Sequence, residues 1–249
     1  MKIVKVIMGI FWKAYFLLSF IISLIVLYPL FYILLLNRNW FPVAFKLKKL
    51  WTKWIFSASG IITRVTYKTP ENKLPKTAVY CANHMSYLDI VSAYIVIPHY
   101  FVSMAKKELG KAPLFNIFFK EMNILVDRKS ITASHRALVK AAEEIDRGNS
   151  VFLFPEGGII TNDGKLHNFK NGAFKLAIDK QVPIVPITFL NNFKLFQNGA
   201  LFRTQGRPGF SRVVVHEPVS TVGLTADDLI SLRNRVHHVI AQELENYNT

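Results

Sequence analysis

A histidine and an aspartate stand five positions apart in the run Cys81-Ala82-Asn83-His84-Met85-Ser86-Tyr87-Leu88-Asp89-Ile90. An imidazole oriented by a carboxylate is the equipment of a general base. On one helix, residues five apart point to different faces. Here residues 77–81 read as a strand and Ser86 as the cap of a helix. His84 then falls in the turn and Asp89 in the first helical turn, where they can meet. No Ser or Cys is clearly placed to be acylated, so the base would act on a substrate hydroxyl. A second reading uses the same residues: Ser86-x-x-Asp89 is a capping-box pattern, and an acid near a helix N-terminus is favoured by the macrodipole. With seven His and seven Asp in the chain, a His-x4-Asp arises by chance about 0.2 times per such sequence.

Three more segments carry usable chemistry. Val151-Phe152-Leu153-Phe154-Pro155-Glu156-Gly157-Gly158 is an apolar strand that opens into Glu-Gly-Gly. Adjacent glycines let backbone N–H groups converge on an anion, and Glu156 can accept hydrogen bonds. The alternative is a turn with a solvated Glu. Asn123-Ile124-Leu125-Val126-Asp127-Arg128-Lys129 is a strand ending in a basic pair. Arg128 suits phosphate by its planar fork, or pairs on the surface with Asp127. Val182-Pro183-Ile184-Val185-Pro186-Ile187 is a short strand bracketed by prolines, suited to an apolar wall. Lys170 is a second phosphate candidate.

These segments need a scaffold of 249 residues, enough for one domain with a full core. Strands are expected at 61–67, 77–81, 100–104, 123–126, 150–154, 184–189 and 212–216. Helices are expected at 86–96, 113–121, 131–147, 172–180 and 225–246. Their alternation implies an α/β fold with a mixed, largely parallel sheet covered by helices. The single cysteine, Cys81, forms no internal disulfide and reads as a small hydrophobe at a strand end.

Residues 1–60 differ in kind. A charge-free apolar run extends over 14–36, broken only by Pro29, and as a helix would span about 34 Å. Lysines flank it on both sides, so the positive-inside rule gives no orientation. No small-x-small site follows directly, which argues against a signal peptide. Residues 40–60 interleave aromatics with lysines, as in a helix lying among headgroups or in an amphipathic helix packed on the domain. The expectation is a membrane-anchoring helical segment over 1–60 and an α/β domain over 61–249. The net charge of +15 calls for an anionic partner. Lipid headgroups, a polyphosphate cofactor and an acidic carrier protein qualify. Without a recognition helix or zinc module, nucleic acid is not expected.

Four of these segments, Asn83-His84 to Asp89, Val126-Asp127-Arg128, Phe154-Pro155-Glu156-Gly157 and Val182-Pro183-Ile184-Val185-Pro186, resemble in order the four blocks of the glycerolipid acyltransferases. The chain resembles the bacterial 1-acylglycerol-3-phosphate acyltransferases over about residues 60–190, and its N-terminal helical pair also looks like theirs. The resemblance implies His84 as general base and Asp89 as its orienting carboxylate. It implies Arg128 as a ligand of the acceptor phosphate, Glu156 and Gly157 in acceptor binding, and Lys106 near that phosphate. It implies O-acyl transfer from acyl-CoA or acyl-carrier protein to a lysolipid, with no bound cofactor and no metal, at the cytoplasmic side of a bacterial inner membrane. Two positions depart from the pattern. The third block usually continues Gly-Thr-Arg-Ser, whereas here Gly157 precedes Gly158-Ile159-Ile160. The second block usually has Gly where Met122 stands. The missing Arg motivates a different acceptor, a lysoaminolipid such as an ornithine or glycine lipid. A third possibility is a non-catalytic membrane-binding protein on the same fold.

Overall fold

The computed structural model describes residues 2–159 and 164–248. Seven strands form one sheet: β1 (Ile61–Tyr67), β2 (Val79–Ala82), β3 (Phe101–Lys106), β4 (Ile124–Val126), β5 (Ser150–Leu153), β6 (Ile184–Phe189) and β7 (Gly209–Val215). Their order is β1-β7-β6-β2-β5-β3-β4. Every neighbouring pair is parallel except β6 and β7.

Side chains alternate across a strand, and the alternation sorts the core into two layers. Tyr80, Ala82 and Phe152 face one layer with Val185 and Ile187; Val79, Cys81, Val151 and Leu153 face the other. The first layer is covered by α1 (Lys2–Leu35), α2 (Phe41–Ala58), α3 (Tyr87–Val96) and α4 (Asn116–Glu121). The second is covered by α5 (Ile131–Asp146), α6 (Gly172–Lys180) and α8 (Leu229–Asn248), with the short α7 (Asn192–Leu195) following β6. Both faces are thus buried, as apolar central strands require. Cys81 is fully buried, and burial pushes its thiol pKa up.

The N-terminal pair is joined to this core. Phe16, Leu24, Phe31 and Leu35 of α1 are buried, while Phe11, Leu18, Ile25, Val26 and Ile33 are exposed. The helix continues through Pro29. Near its start the Gly206 N–H donates to Gly9 O and Lys13 donates to Gln197 O at 2.8 Å. Past its end, Arg38 pairs with Glu144 of α5. Two expectations from charge are corrected here. Lys13 does not flank the apolar run among headgroups but is buried against the domain. On α2, Phe41, Phe45, Trp51, Ile55, Phe56 and Lys48 turn into the core, leaving Val43, Leu50, Trp54, Lys46 and Lys53 outside.

Candidate active site

In a parallel sheet, all C-terminal strand ends meet at one edge, where ligand sites form. β2 ends into Asn83-His84, β5 into Phe154-Pro155-Glu156, β4 into Asp127-Arg128, and β6 into the Asn191-Asn192 turn. Sheet order therefore gathers segments that lie far apart in sequence.

His84 Nδ1 lies 3.2 Å from Asp89 Oδ2. The same oxygen accepts from the backbone N–H groups of Met85 and Ser86, each at 2.7 Å, and Oδ1 accepts from Asn192 Nδ2 at 2.9 Å. Asp89 is fully buried and accepts from every neighbour around it, so His84 Nδ1 is the nitrogen that donates to it and Nε2 keeps its lone pair. The capping box is present too: Ser86 Oγ accepts from the Leu88 N–H while Asp89 holds the Ser86 N–H. The two readings of Ser86-x-x-Asp89 describe one arrangement, in which the cap places the carboxylate under the imidazole.

The strand ends are clamped. Asn83 bonds both the N–H and the carbonyl of Phe189, fixing β2 to β6. The Phe154 ring stacks on His84 at 3.7 Å and 12°. Glu156, 3% exposed, accepts from the His84 N–H at 2.7 Å and the His167 N–H at 3.1 Å. Burial pushes its pKa up to about 7, against those two hydrogen bonds and aided by Asp89. A raised carboxyl pKa means that the folded chain holds this proton more tightly than the unfolded one. Its contribution to stability is complete below about 4.5 and is lost as pH rises to about 7. Glu156→Gln should therefore flatten the fall of the urea midpoint over that range relative to wild type. Superimposable profiles would show that the carboxyl is not held this way.

Two cations converge on the third segment. Arg128 Nη1 donates to Gly157 O. Lys170 Nζ lies beside the same glycine, 2.7 Å from where a Cβ would stand. Gly157 has φ +86° and Gly158 φ +155°, which favour glycine, and a Cβ at 158 would meet Arg128 Nη1 at 2.9 Å. Glycine at 158 thus lets Arg128 close over the turn. An adjoining cavity of about 260 Å³ is lined by Arg128, Lys170, Phe154, Gly157, Ser134 and apolar side chains. The structure brings Arg128, Glu156, Gly157 and Lys170 to one edge with His84 and Asp89. Lys106 ends β3 at that edge but is exposed, 3.6 Å from Glu108, and does not line the cavity. The Gly157 N–H donates to Phe154 O within the turn, so it is not a spare donor for an oxyanion. Ile159 is described and Ile160 lies outside the described residues. Met122 has φ −102°, so its position makes no demand for glycine.

Asn192 escaped the sequence reading. It bonds Asp89 across 103 positions, and its own Oδ1 accepts from Ser211. Its one sequence signal is its place just after an apolar strand. Among the described residues, no cluster of three or more His, Cys, Asp or Glu is placed to hold a metal ion.

Similarity to known proteins identifies the family. The family described as Acyltransferase matches residues 64–190, half of the chain. The 1-acyl-sn-glycerol-3-phosphate acyltransferase alpha of Mus musculus is 35% identical over 64% of this chain and 56% of its own length. The 1-acyl-sn-glycerol-3-phosphate acyltransferase of Haemophilus influenzae is 28% identical over 73% of this chain and 74% of its own. The chain thus spans little more than half the length of the mouse relative. The crystal structure of the 1-acyl-sn-glycerophosphate acyltransferase PlsC from Thermotoga maritima superposes with a TM-score of 0.79, covering 98% of this chain and 97% of that one at 24% identity. That likeness fixes the fold; the sequence match over the edge that carries His84, Asp89, Arg128 and Glu156 makes this chain a member of the acyltransferase family.

Proposed function

We propose that this protein transfers a fatty acyl group from an acyl thioester to the hydroxyl of 1-acylglycerol-3-phosphate, giving phosphatidic acid for phospholipid synthesis. The observation that carries it is the buried His84–Asp89 pair beside a cavity edged by Arg128 and Lys170. His84 Nε2 takes the hydroxyl proton as the oxygen attacks the thioester carbonyl. The tetrahedral intermediate collapses, the carbon–sulfur bond breaks, and the departing sulfur takes the proton from the imidazolium. Asp89 stabilises that imidazolium while it exists. Arg128 and Lys170 hold the acceptor phosphate, and Glu156 fixes the backbone of His84. The donor is acyl-CoA or acyl-carrier protein; both are anionic and suit a chain of net charge +15.

Membrane lipid is the natural source of the acceptor. A 34-residue α1 is about 51 Å long, more than a bilayer core needs. Yet it is tied to the domain at Gly9, Lys13 and Arg38, so crossing the bilayer would drag the domain surface into hydrocarbon. This favours residues 1–60 lying in one leaflet, their exposed apolar side chains inward. The domain over 61–249 then sits on the cytoplasmic face of a bacterial inner membrane, where acyl thioesters are made.

A specific observation favours a second acceptor: Ile159 stands where the family pattern has Arg, removing one phosphate ligand. The test offers purified protein an acyl thioester and a panel of lysolipids, with product read by mass spectrometry. With lysophosphatidic acid as acceptor, Arg128→Ala should lower kcat/KM about ten- to a hundredfold, the loss of one charge-assisted contact. A phosphate-free acceptor should suffer much less. Acylation of a lysoaminolipid with none of lysophosphatidic acid would reverse the assignment.

A further inference from the structure

A lysine inside a protein is costly unless some partner answers its charge. Lys48 lies on the domain-facing side of α2 and is 5% exposed. Burial alone brings its pKa down to about 7, with no carboxylate opposing the shift. Its Nζ stands 4.4 Å from the Phe118 ring centroid and 5.5 Å from that of Tyr94. Those ring faces give it cation–π contact in place of the hydrogen bonds an amine makes in water.

Lys48 lines a narrow cavity of about 90 Å³ whose walls are mostly aromatic and aliphatic, Phe20, Trp51, Ile55, Val91 and Phe115 among them. Thr52, Ser103 and Asn123 add a small polar patch to the same wall. Asn123 is already engaged: its Oδ1 accepts from Ser103 Oγ at 2.6 Å and its Nδ2 donates to Phe118 O at 2.8 Å. Ile90 and Val91 of the lining follow Asp89 on α3, so one helix carries both a wall of this cavity and the carboxylate that holds His84. On the far side of Trp51 an apolar groove of about 500 Å³ runs between α1 and α2. A hydrocarbon chain is the ligand that such walls admit.

We propose that this cavity receives part of the transferred acyl chain and that Lys48 selects chains bearing a hydroxyl over unsubstituted ones. This selectivity builds on the acyl transfer proposed above and adds the class of acyl group. A plain hydrocarbon beside Lys48 leaves the amine without an acceptor for as long as the chain is bound. A hydroxyl on the chain answers it: its oxygen accepts from the ammonium or from the neutral amine, and its proton can go to Ser103 or to the neutral amine. A slot meant for hydrocarbon alone would be better filled by Leu or Met at 48.

The test compares palmitoyl thioester with its isomers hydroxylated at successive carbons, using the full chain in detergent micelles. At least one isomer should exceed palmitoyl in kcat/KM by about tenfold, one charge-assisted hydrogen bond. K48M should bring that isomer level with palmitoyl; K48Q, which keeps a donor and covers a failure of K48M to fold, should retain part of the preference. A wild-type enzyme that uses palmitoyl as well as every isomer overturns the proposal, as does K48M that keeps the preference. Displacement of a fluorescent fatty acid by palmitic and hydroxypalmitic acids reads the same preference without turnover. A chain that prefers the hydroxylated acid yet acylates no acceptor overturns the acyl-transfer reading and upholds the role of Lys48. Turnover with equal use of all isomers does the reverse.

Discussion

Replacement of His84 by alanine is expected to lower the acyl-transfer rate by about 10²–10⁴-fold, the usual worth of a positioned general base. The geometry says why the loss should fall on rate. The imidazole donates through Nδ1 to Asp89, which leaves Nε2 as the only ring nitrogen able to take a proton. Phe154 stacked on one face holds the ring in that orientation. The structural bond of this residue is made by its backbone, from the N–H to Glu156, and that bond survives the substitution. The variant should thus fold, with near-native circular dichroism. The measurement is product formation at saturating acyl thioester, with chemistry made rate-limiting. His84→Gln is a second probe, because it fills more of the space and still offers no base. Full activity in folded His84→Ala would remove the residue from the mechanism.

What the sequence revealed depended on the range of the interactions involved. The strands at 61–67 and 184–189 and the helix at 172–180 have the expected bounds, because turn residues and apolar pattern coincide at their ends. The helix expected over 113–121 starts at Asn116, since Leu114 sits at φ +63° and breaks the first turn. The first turn of the helix expected over 225–246 is instead a 3₁₀ turn, Ala226–Asp228, capped by Thr225 and Asp228. His84 and Asp89 were legible because one turn and one cap bring them together. Arg128 and Gly157 meet only because β4, β3 and β5 run side by side, an order that spacing alone does not specify. Asn192 was invisible for the same reason. Lys13 and Lys48 misled because charge counting places every lysine in water or among headgroups. Lys13 instead meets backbone carbonyls, and Lys48 an aromatic cavity, partners that only the folded chain supplies.

Asp89→Asn should separate capping from catalysis. Asp89 Oδ2 accepts from His84 Nδ1 and from the Met85 and Ser86 N–H groups, and Oδ1 accepts from Asn192. An asparagine can keep its oxygen toward the three donors. Its NH₂ would then face Asn192 Nδ2, and Asn192 must turn its amide over. Ser211 permits this, because its hydroxyl, now donating to Asn192 Oδ1, can accept instead. The cap therefore persists, at a cost of about 1–3 kcal/mol for the strained network. The negative charge does not persist. When His84 takes the hydroxyl proton, the imidazolium forms next to a neutral amide in a buried site, and the transition state loses its counter-charge. The expected result is kcat lower by about 10²–10⁴-fold, KM for the acceptor nearly unchanged, and a modest drop in Tm. If Asp89 only caps α3, Tm falls and kcat stays. Measuring both quantities on one preparation decides it: a variant that melts earlier yet turns over at the wild-type rate would confine Asp89 to the helix terminus.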